Sequence, residues 1–167
     1  MNFYQDEQDW QWLFKHAIDW DKILPLYFKE FPTEEGFKNK DDILLSFDDI
    51  LGQTGAWAGE TLSKRAPSLD KLGAGKLEGG KTIPGKDLSA TYKEAVELGV
   101  HGVSLPKEYG GLDLPKSVDL FQFQQIGRAC GSTFNQLGFF SSIAEIINRF
   151  GGPWMKEKFI PQIIKGS

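Results

Sequence analysis

Between Asp41 and Arg65, apolar and small residues recur every three or four positions. Ile43, Phe47, Ile50, Leu51, Thr54, Ala58, Thr61 and Leu62 fall on one stripe. That period belongs to a helix with one buried face and excludes a strand, whose faces alternate every two residues. A helix of about six turns follows, with Asp41 or Asp42 as its cap and Pro67 just past its end. Gly52, Gly55 and Gly59 interrupt the stripe, each weakening a helix by roughly 1 kcal/mol relative to Ala. Their spacing predicts a close approach by another helix.

The same period marks shorter segments on either side. Trp10, Leu13, Phe14, Ala17 and Ile18 predict a first helix over 9–24, capped by Asp9 and ended or kinked at Pro25. Thr33, followed by Glu34 and Glu35, reads as the cap of a new start. Residues 66–86, with Pro67, Gly73, Gly75, Gly79, Gly80, Pro84 and Gly85, read as a loop. A helix is expected over 87–98, ended by Gly99 in the left-handed region. Residues 100–115 form a second irregular stretch. Helices follow at 117–129, 133–150 and 153–165, with Ser117 and Ser132 or Thr133 as caps and Pro153 in a first turn. The fold class is all-α: a bundle of about six or seven helices with two Gly/Pro-rich loops. Residues 1–32 read as an N-terminal extension with one helix, and 33–167 as the domain proper.

The chain is large enough for one real core. Thirteen Phe and five Trp among its 167 residues make that core aromatic. A net charge of −4 argues against a nucleic-acid partner. A lone cysteine, Cys130, excludes an internal disulfide and suits a cytoplasmic setting. No apolar run approaches the roughly 18–20 residues of a membrane span, and the acidic start MNFYQDEQDW lacks the features of a signal peptide.

GKLEGGKT, residues 75–82, satisfies the phosphate-loop spacing G-x-x-x-x-G-K-[ST]. The chemistry requires a buried strand before the loop and a helix starting at the Lys-Thr pair. Here the approach, SLDKLG, is too polar for a buried parallel strand, and Pro84 and Gly85 oppose a helix after Thr82. A solvated turn is the better reading. His16 and His101 are the only histidines, so no metal cluster is visible. Cys130 could have its pKa lowered by Arg128, but a passive buried thiol fits better. Asp41-Asp42 and Asp48-Asp49 suit caps and solvated faces, and Trp10, Trp12 and Trp20 suit anchors of the first helix. No active site can be assembled from these residues alone.

Two stretches resemble a known family. ELGVHGVSLPKEYGGL (97–112) carries a helix ending in Leu-Gly and a P-x-E-Y-G-G loop. QIGRA (125–129) leads to RFGG (149–152) and then to KEKFIPQIIKG (156–166), a K-x-x-x-I-P-x-I-x-x-G close. Both are similar to the N-terminal helical domain of FAD-dependent acyl-CoA dehydrogenases. The opening segment and the long helix resemble the longer bacterial branch, in which a polar Gly-rich loop stands where GKLEGGKT falls. The resemblance implies an enzyme that oxidises an acyl-CoA to the trans-2-enoyl thioester, a carboxylate taking the α-proton and FAD the hydride. It implies that residues 1–167 are the first third of such an enzyme. The FAD-binding middle domain and the catalytic C-terminal domain would lie beyond Ser167, so the segment alone would hold neither catalytic base nor FAD. Its implied role is to shape the acyl cavity with the helix over 133–150. Asn135, Gly138, Phe139, Ser142 and Ile146 are expected on that helix's inward face, Gly138 and Ser142 leaving room and Phe139 and Ile146 bounding it. Acyl-CoA is the implied partner in the full-length enzyme, whose electron acceptor stays unknown. A homo-oligomer, or self-association through a bare apolar wall, is expected. The alternative is a stand-alone helical interaction module that kept the fold without the chemistry.

Overall fold

The computed structural model describes residues 1–72 and 75–166; Gly73 and Ser167, named above, lie outside them. In chain order the helices are α1 (Gln8–Trp12), α2 (Trp20–Tyr27), α3 (Lys40–Trp57), α4 (Ser63–Leu72), α5 (Lys86–Glu97), α6 (Lys116–Ala129), α7 (Gly131–Phe150) and α8 (Pro153–Ile164). A π turn, Leu13–Ala17, follows α1, and another, Ala58–Leu62, joins α3 to α4. The all-α expectation holds, with one exposed hairpin of β1 (Lys76–Glu78) and β2 (Lys81–Ile83).

The expected first helix is two. The chain turns extended at Ile18, ψ 125°, and Asp19 caps α2 by accepting the Lys22 N–H. Trp20 Nε1 donates to Phe14 O at 2.7 Å, which satisfies a carbonyl near the break. Pro25 sits inside α2 without ending it. Thr33 starts no helix; its hydroxyl accepts the Phe37 N–H in a turn closed by Gly36 at φ 91°. Tyr4, Phe14, Trp20, Leu24 and Phe28 share one cluster with Ile43, Phe47 and Leu51 of α3 and Val118 of α6.

The cap of α3 is Asn39, whose side chain accepts the Asp42 N–H, while Asp42 reaches back to the Lys38 N–H at 2.9 Å. Pro67 does not terminate the run: helix continues through the π turn to Leu72. Tertiary anchors offset the proline. Arg65 binds both oxygens of Glu94 on α5 at 2.8 Å, and Leu69 enters the core. Loss of the proline's own hydrogen bond is outweighed by a bidentate charged pair and a buried side chain. Ser117 caps nothing, for Pro115 holds that position; Cys130, not Ser132 or Thr133, precedes α7. Gly99 takes φ 69° after α5, and Pro153 opens α8.

GKLEGGKT forms the antiparallel hairpin, with Glu78 facing Lys81 across Gly79-Gly80. Both glycines have positive φ, 57° and 74°, as a two-residue turn with the strand-matching twist requires. Lys81 lies in a strand, and every strand residue is exposed. The geometry is that of a protruding turn and not of a phosphate cradle.

Gly52 and Gly55 of α3 and Gly59 of the π turn admit the N-terminal segment, and at Gly55 the Gln125 side chain of α6 closes in as well. Phe3 N donates to Gly55 O at 3.0 Å and Asn2 Nδ2 to Gly52 O at 2.9 Å. A Cβ on Gly55 would lie 2.2 Å from Asn2 Oδ1, 2.7 Å from Tyr4 N and 2.9 Å from Gln125 Oε1. Alanine there gains about 1 kcal/mol of helix propensity but forces backbone apart, an overpacking cost of about 1–3 kcal/mol. Gly55→Ala is therefore expected to lower the urea midpoint, and the loss should disappear in a chain lacking residues 1–5. An unchanged midpoint in the intact chain would refute the close approach.

Candidate functional site

Helices α6 and α7 are joined only through Cys130 and run against each other. Their seam carries an open groove of about 270 Å³ on the outer side. Leu120 and Phe123 of α6 and Phe134 and Phe139 of α7 give it apolar walls. Asn135, Gly138 and Ser142 line it as well, with Lys116, Asp119 and Ser141 at one end.

Four of the five residues expected from the sequence thus meet in one place: Asn135, Gly138, Phe139 and Ser142. Ile146, one turn further along, is 59 % exposed and does not line the groove. The inward face of α7 is a different stripe, Thr133, Leu137, Ser141 and Ala144. The five expected residues point away from this domain's own core, because Leu137 and Ala144, and not the larger Phe139 and Ile146, fit the tight contacts with α6 and α8. Gly138 leaves space over the seam: a Cβ there would meet only Phe123 Cε1, at 3.9 Å.

The polar end of the groove was not expected. The Asp119 side chain is 1 % exposed. Its Oδ2 accepts from Ser104 Oγ at 3.3 Å, Ser141 Oγ at 3.2 Å and the Lys116 ammonium. Oδ1 has no hydrogen-bond partner among the described residues. Lys116 also donates to Ser104 and Ser141. A buried carboxylate needs such donors, since burial of an unpaired charge is costly. The signal was present in the sequence: Asp119, Gln122 and Ile126 share the buried stripe of α6, and polar groups on such a stripe require partners.

The other candidates resolve as follows. Arg128 does not face Cys130; it pairs with Glu7 at 2.5 Å and lies over the Phe3 ring. Burial pushes the Cys130 thiol up, but hydrogen bonds from Ser132 and Thr133 at the start of α7 outweigh it and bring the thiol below its ordinary value. Tyr4 hydroxyl donates to Asp48 Oδ1 at 2.7 Å; burial and that carboxylate raise its pKa. Among the described residues no cluster of three His, Cys, Asp or Glu could hold a metal.

The P-K-E-Y-G-G loop does structural work. Gly110 takes φ 94°, and a Cβ on Gly111 would lie 2.1 Å from Leu105 O. That contact lets Leu112, Asp113 and Leu114 N–H groups pair with the carbonyls of Gly102, Leu105 and Val103. The loop thereby fixes Ser104 beside Asp119 and so fixes the end of the groove.

Residues 72–167, more than half of the chain, match the family described as acyl-CoA dehydrogenase, N-terminal domain. The chain belongs to the acyl-CoA dehydrogenase family. It is 31 % identical over 127 residues to the mitochondrial isovaleryl-CoA dehydrogenase of Arabidopsis thaliana, covering 75 % of this chain and 28 % of that protein. It is 28 % identical over 118 residues to the mitochondrial 2-methylacyl-CoA dehydrogenase of Solanum tuberosum, covering 70 % and 28 %. Acryloyl-CoA reductase (NADH) of Anaerotignum propionicum is 25 % identical over 75 residues, covering 45 % and 19 %. The chain spans under a third of the length of these relatives.

His101, in the turn after α5, is 1 % exposed and stands edge-on to Phe140 of α7, 5.3 Å between ring centres. No described residue hydrogen-bonds either ring nitrogen. Burial lowers its pKa. The unfolded chain therefore takes up a proton below about pH 6.5 that the folded chain refuses. This contribution is intact above that pH and is lost as pH falls, by at most ~1.4 kcal/mol per pH unit. Stability measured by urea at about pH 7.5 and 5.5 should fall more steeply in the parent than in His101→Leu. Parallel slopes would contradict a neutral buried imidazole. His16, the other histidine, is exposed.

Proposed function

We propose that this chain forms the acyl-side wall of an acyl-CoA dehydrogenase. In the complete enzyme the reaction converts an acyl-CoA to the trans-2-enoyl thioester, and FAD supplies the hydride-accepting chemistry. The observation that carries the reading is the α6–α7 groove. Its walls are apolar, a glycine leaves room at its centre, and it opens on the side of α7 turned away from the domain core. An aliphatic chain gains about 0.8 kcal/mol per methylene buried in such a slot.

The described residues suit an acyl chain and not the flavin. The groove is too small and too apolar for an isoalloxazine ring with its pyrophosphate, and its one ammonium, Lys116, is already tied to Asp119. The glycine-rich hairpin offers no helix N-terminus to a phosphate. Flavin and catalytic base are therefore assigned to parts of the enzyme outside these residues. What this chain does is bind and orient the tail and keep water from it.

The face beside the groove supports a covered position in a larger assembly. Phe139, Ile143, Ile146, Phe150 and Trp154 are each 48–82 % exposed along one side of α7 and the start of α8. Apolar stripes of that extent mark interfaces. We assign this one to the remainder of the enzyme, in a homo-oligomer. No helix of the described residues is long and apolar enough to cross a membrane; the unpaired Cys130 supports a cytoplasmic setting. The relatives named for isovaleryl and 2-methylacyl thioesters favour a short acyl group.

The test is Phe139→Ala in the complete enzyme. Removing a wall ring should move the preference toward bulkier acyl groups, changing relative kcat/KM by about tenfold. An unaltered acyl profile would remove Phe139 from the cavity.

A further inference from the structure

Two features stand apart from the groove: the GKLEGGKT hairpin, and a hollow of about 420 Å³ between the N-terminal segment and the first turns of α3. Trp20, Leu44 and Leu45 give the hollow apolar walls, and Asp41, Asp48 and Lys15 are its charged groups. Leu45 is 64 % exposed, and Asp41 is exposed beside it. The hairpin matches these groups. Side chains alternate across a strand, and the register sets Lys76 beside Ile83 and Glu78 beside Lys81. One face of the hairpin therefore carries an apolar side chain, two ammonium groups and one carboxylate, all of them exposed. The hollow offers an apolar lining, two carboxylates and one ammonium group. The wider surroundings have the same signs. Residues 71–86 hold four lysines and one carboxylate, whereas residues 1–50 hold twelve carboxylates and five lysines. The two helices that carry the hairpin are tied together at its base: Ser68 of α4 donates to Asp87 of α5, and Arg65 pairs with Glu94.

We propose that the hollow receives the hairpin of a second copy of this chain. This concerns assembly and does not rest on the acyl reading of the groove. Ile83 enters the apolar part, Lys76 and Lys81 stand against Asp41 and Asp48, and Glu78 stands against Lys15. The occupant is not the chain's own hairpin. Helix runs from Lys40 to Leu72 without a break, and at about 1.5 Å per residue that run is roughly 50 Å long. The hollow lies at its first turns and the hairpin follows its last. Two chains set antiparallel about a two-fold axis bring each hairpin to the other's hollow. Both contacts then form at once, and the assembly closes as a dimer.

The experiment uses the 167-residue chain and two charge-reversed variants. A carbodiimide, which joins an ammonium group directly to a carboxylate, is applied to an equal mixture of unlabelled and heavy-nitrogen chains. Mass spectrometry should find peptides of Lys76 or Lys81 joined to peptides of Asp41 or Asp48, one partner light and the other heavy. Sedimentation of the parent should show a dimer. Its dissociation constant should rise at least about tenfold in the double variant Lys76→Glu, Lys81→Glu and in Asp41→Lys. Mixing the two variants should restore the dimer, because the reversed hairpin then meets the reversed rim and the native hairpin the native rim. A monomeric parent, or the absence of light–heavy peptides, overturns the proposal without needing any variant to fold. A dimer that both variants leave unchanged also overturns it, and gives the contact to the exposed side of α7 instead. A mixture no tighter than either variant alone overturns the pairing of hairpin with hollow.

Discussion

Helix α6 is buried on two flanks, leaving only the row Lys116, Leu120, Gln124 and Arg128 exposed. Gln122 reaches Thr54 of α3 at 2.8 Å, Val118 joins the aromatic cluster of α2 and α3, and Asp119 and Phe123 turn to α7. A helix buried on two flanks must carry small or partnered side chains on both, and its neighbours must match them. Thr54 and Gly55 do this on α3; Ser141 and Gly138 do it on α7. The groove is the residue of that constraint. Phe123 is buried in the core, whereas Phe134 and Phe139 stand partly exposed at the edge, and together they bound the slot.

The N-terminal segment depends on the same arrangement. It crosses α3 on the glycine face, and its side chains then reach α6 through Glu7–Arg128 and Phe3–Arg128. Tyr4 is 1 % exposed and is held by Asp48. Tyr4, Phe14 and Trp20 of this segment share the core cluster with α3, and Trp10 reaches the α6–α7 seam.

Much of this was legible in the letters because it is local. The stripe from Ile43 to Leu62, Gly99 at a helix end and Pro153 at a helix start each follow from the backbone's own preferences, and each stands where it was expected. The errors are places where a distant partner overrules a local preference. Pro67 stays helical because Arg65 and Leu69 are anchored from outside the helix. The glycines of α3 announced a close neighbour, but not that it would be the chain's own first residues. At the groove, Gly138 and Phe139 could be placed by family likeness, whereas Asp119, Phe123 and Phe134 could not. Their role exists only once α6 lies beside α7. GKLEGGKT teaches the same lesson from the other side: its spacing is right, but a hairpin register with Glu78 opposite Lys81 leaves no loop to wrap a phosphate.

The most direct measurement is a crystal structure of the complete enzyme with a non-reactive acyl-CoA analogue. The acyl tail should lie between α6 and α7, in van der Waals contact with Gly138 and Phe139. A tail held by other segments, with solvent or a neighbouring helix filling that seam, would contradict the role assigned to this domain.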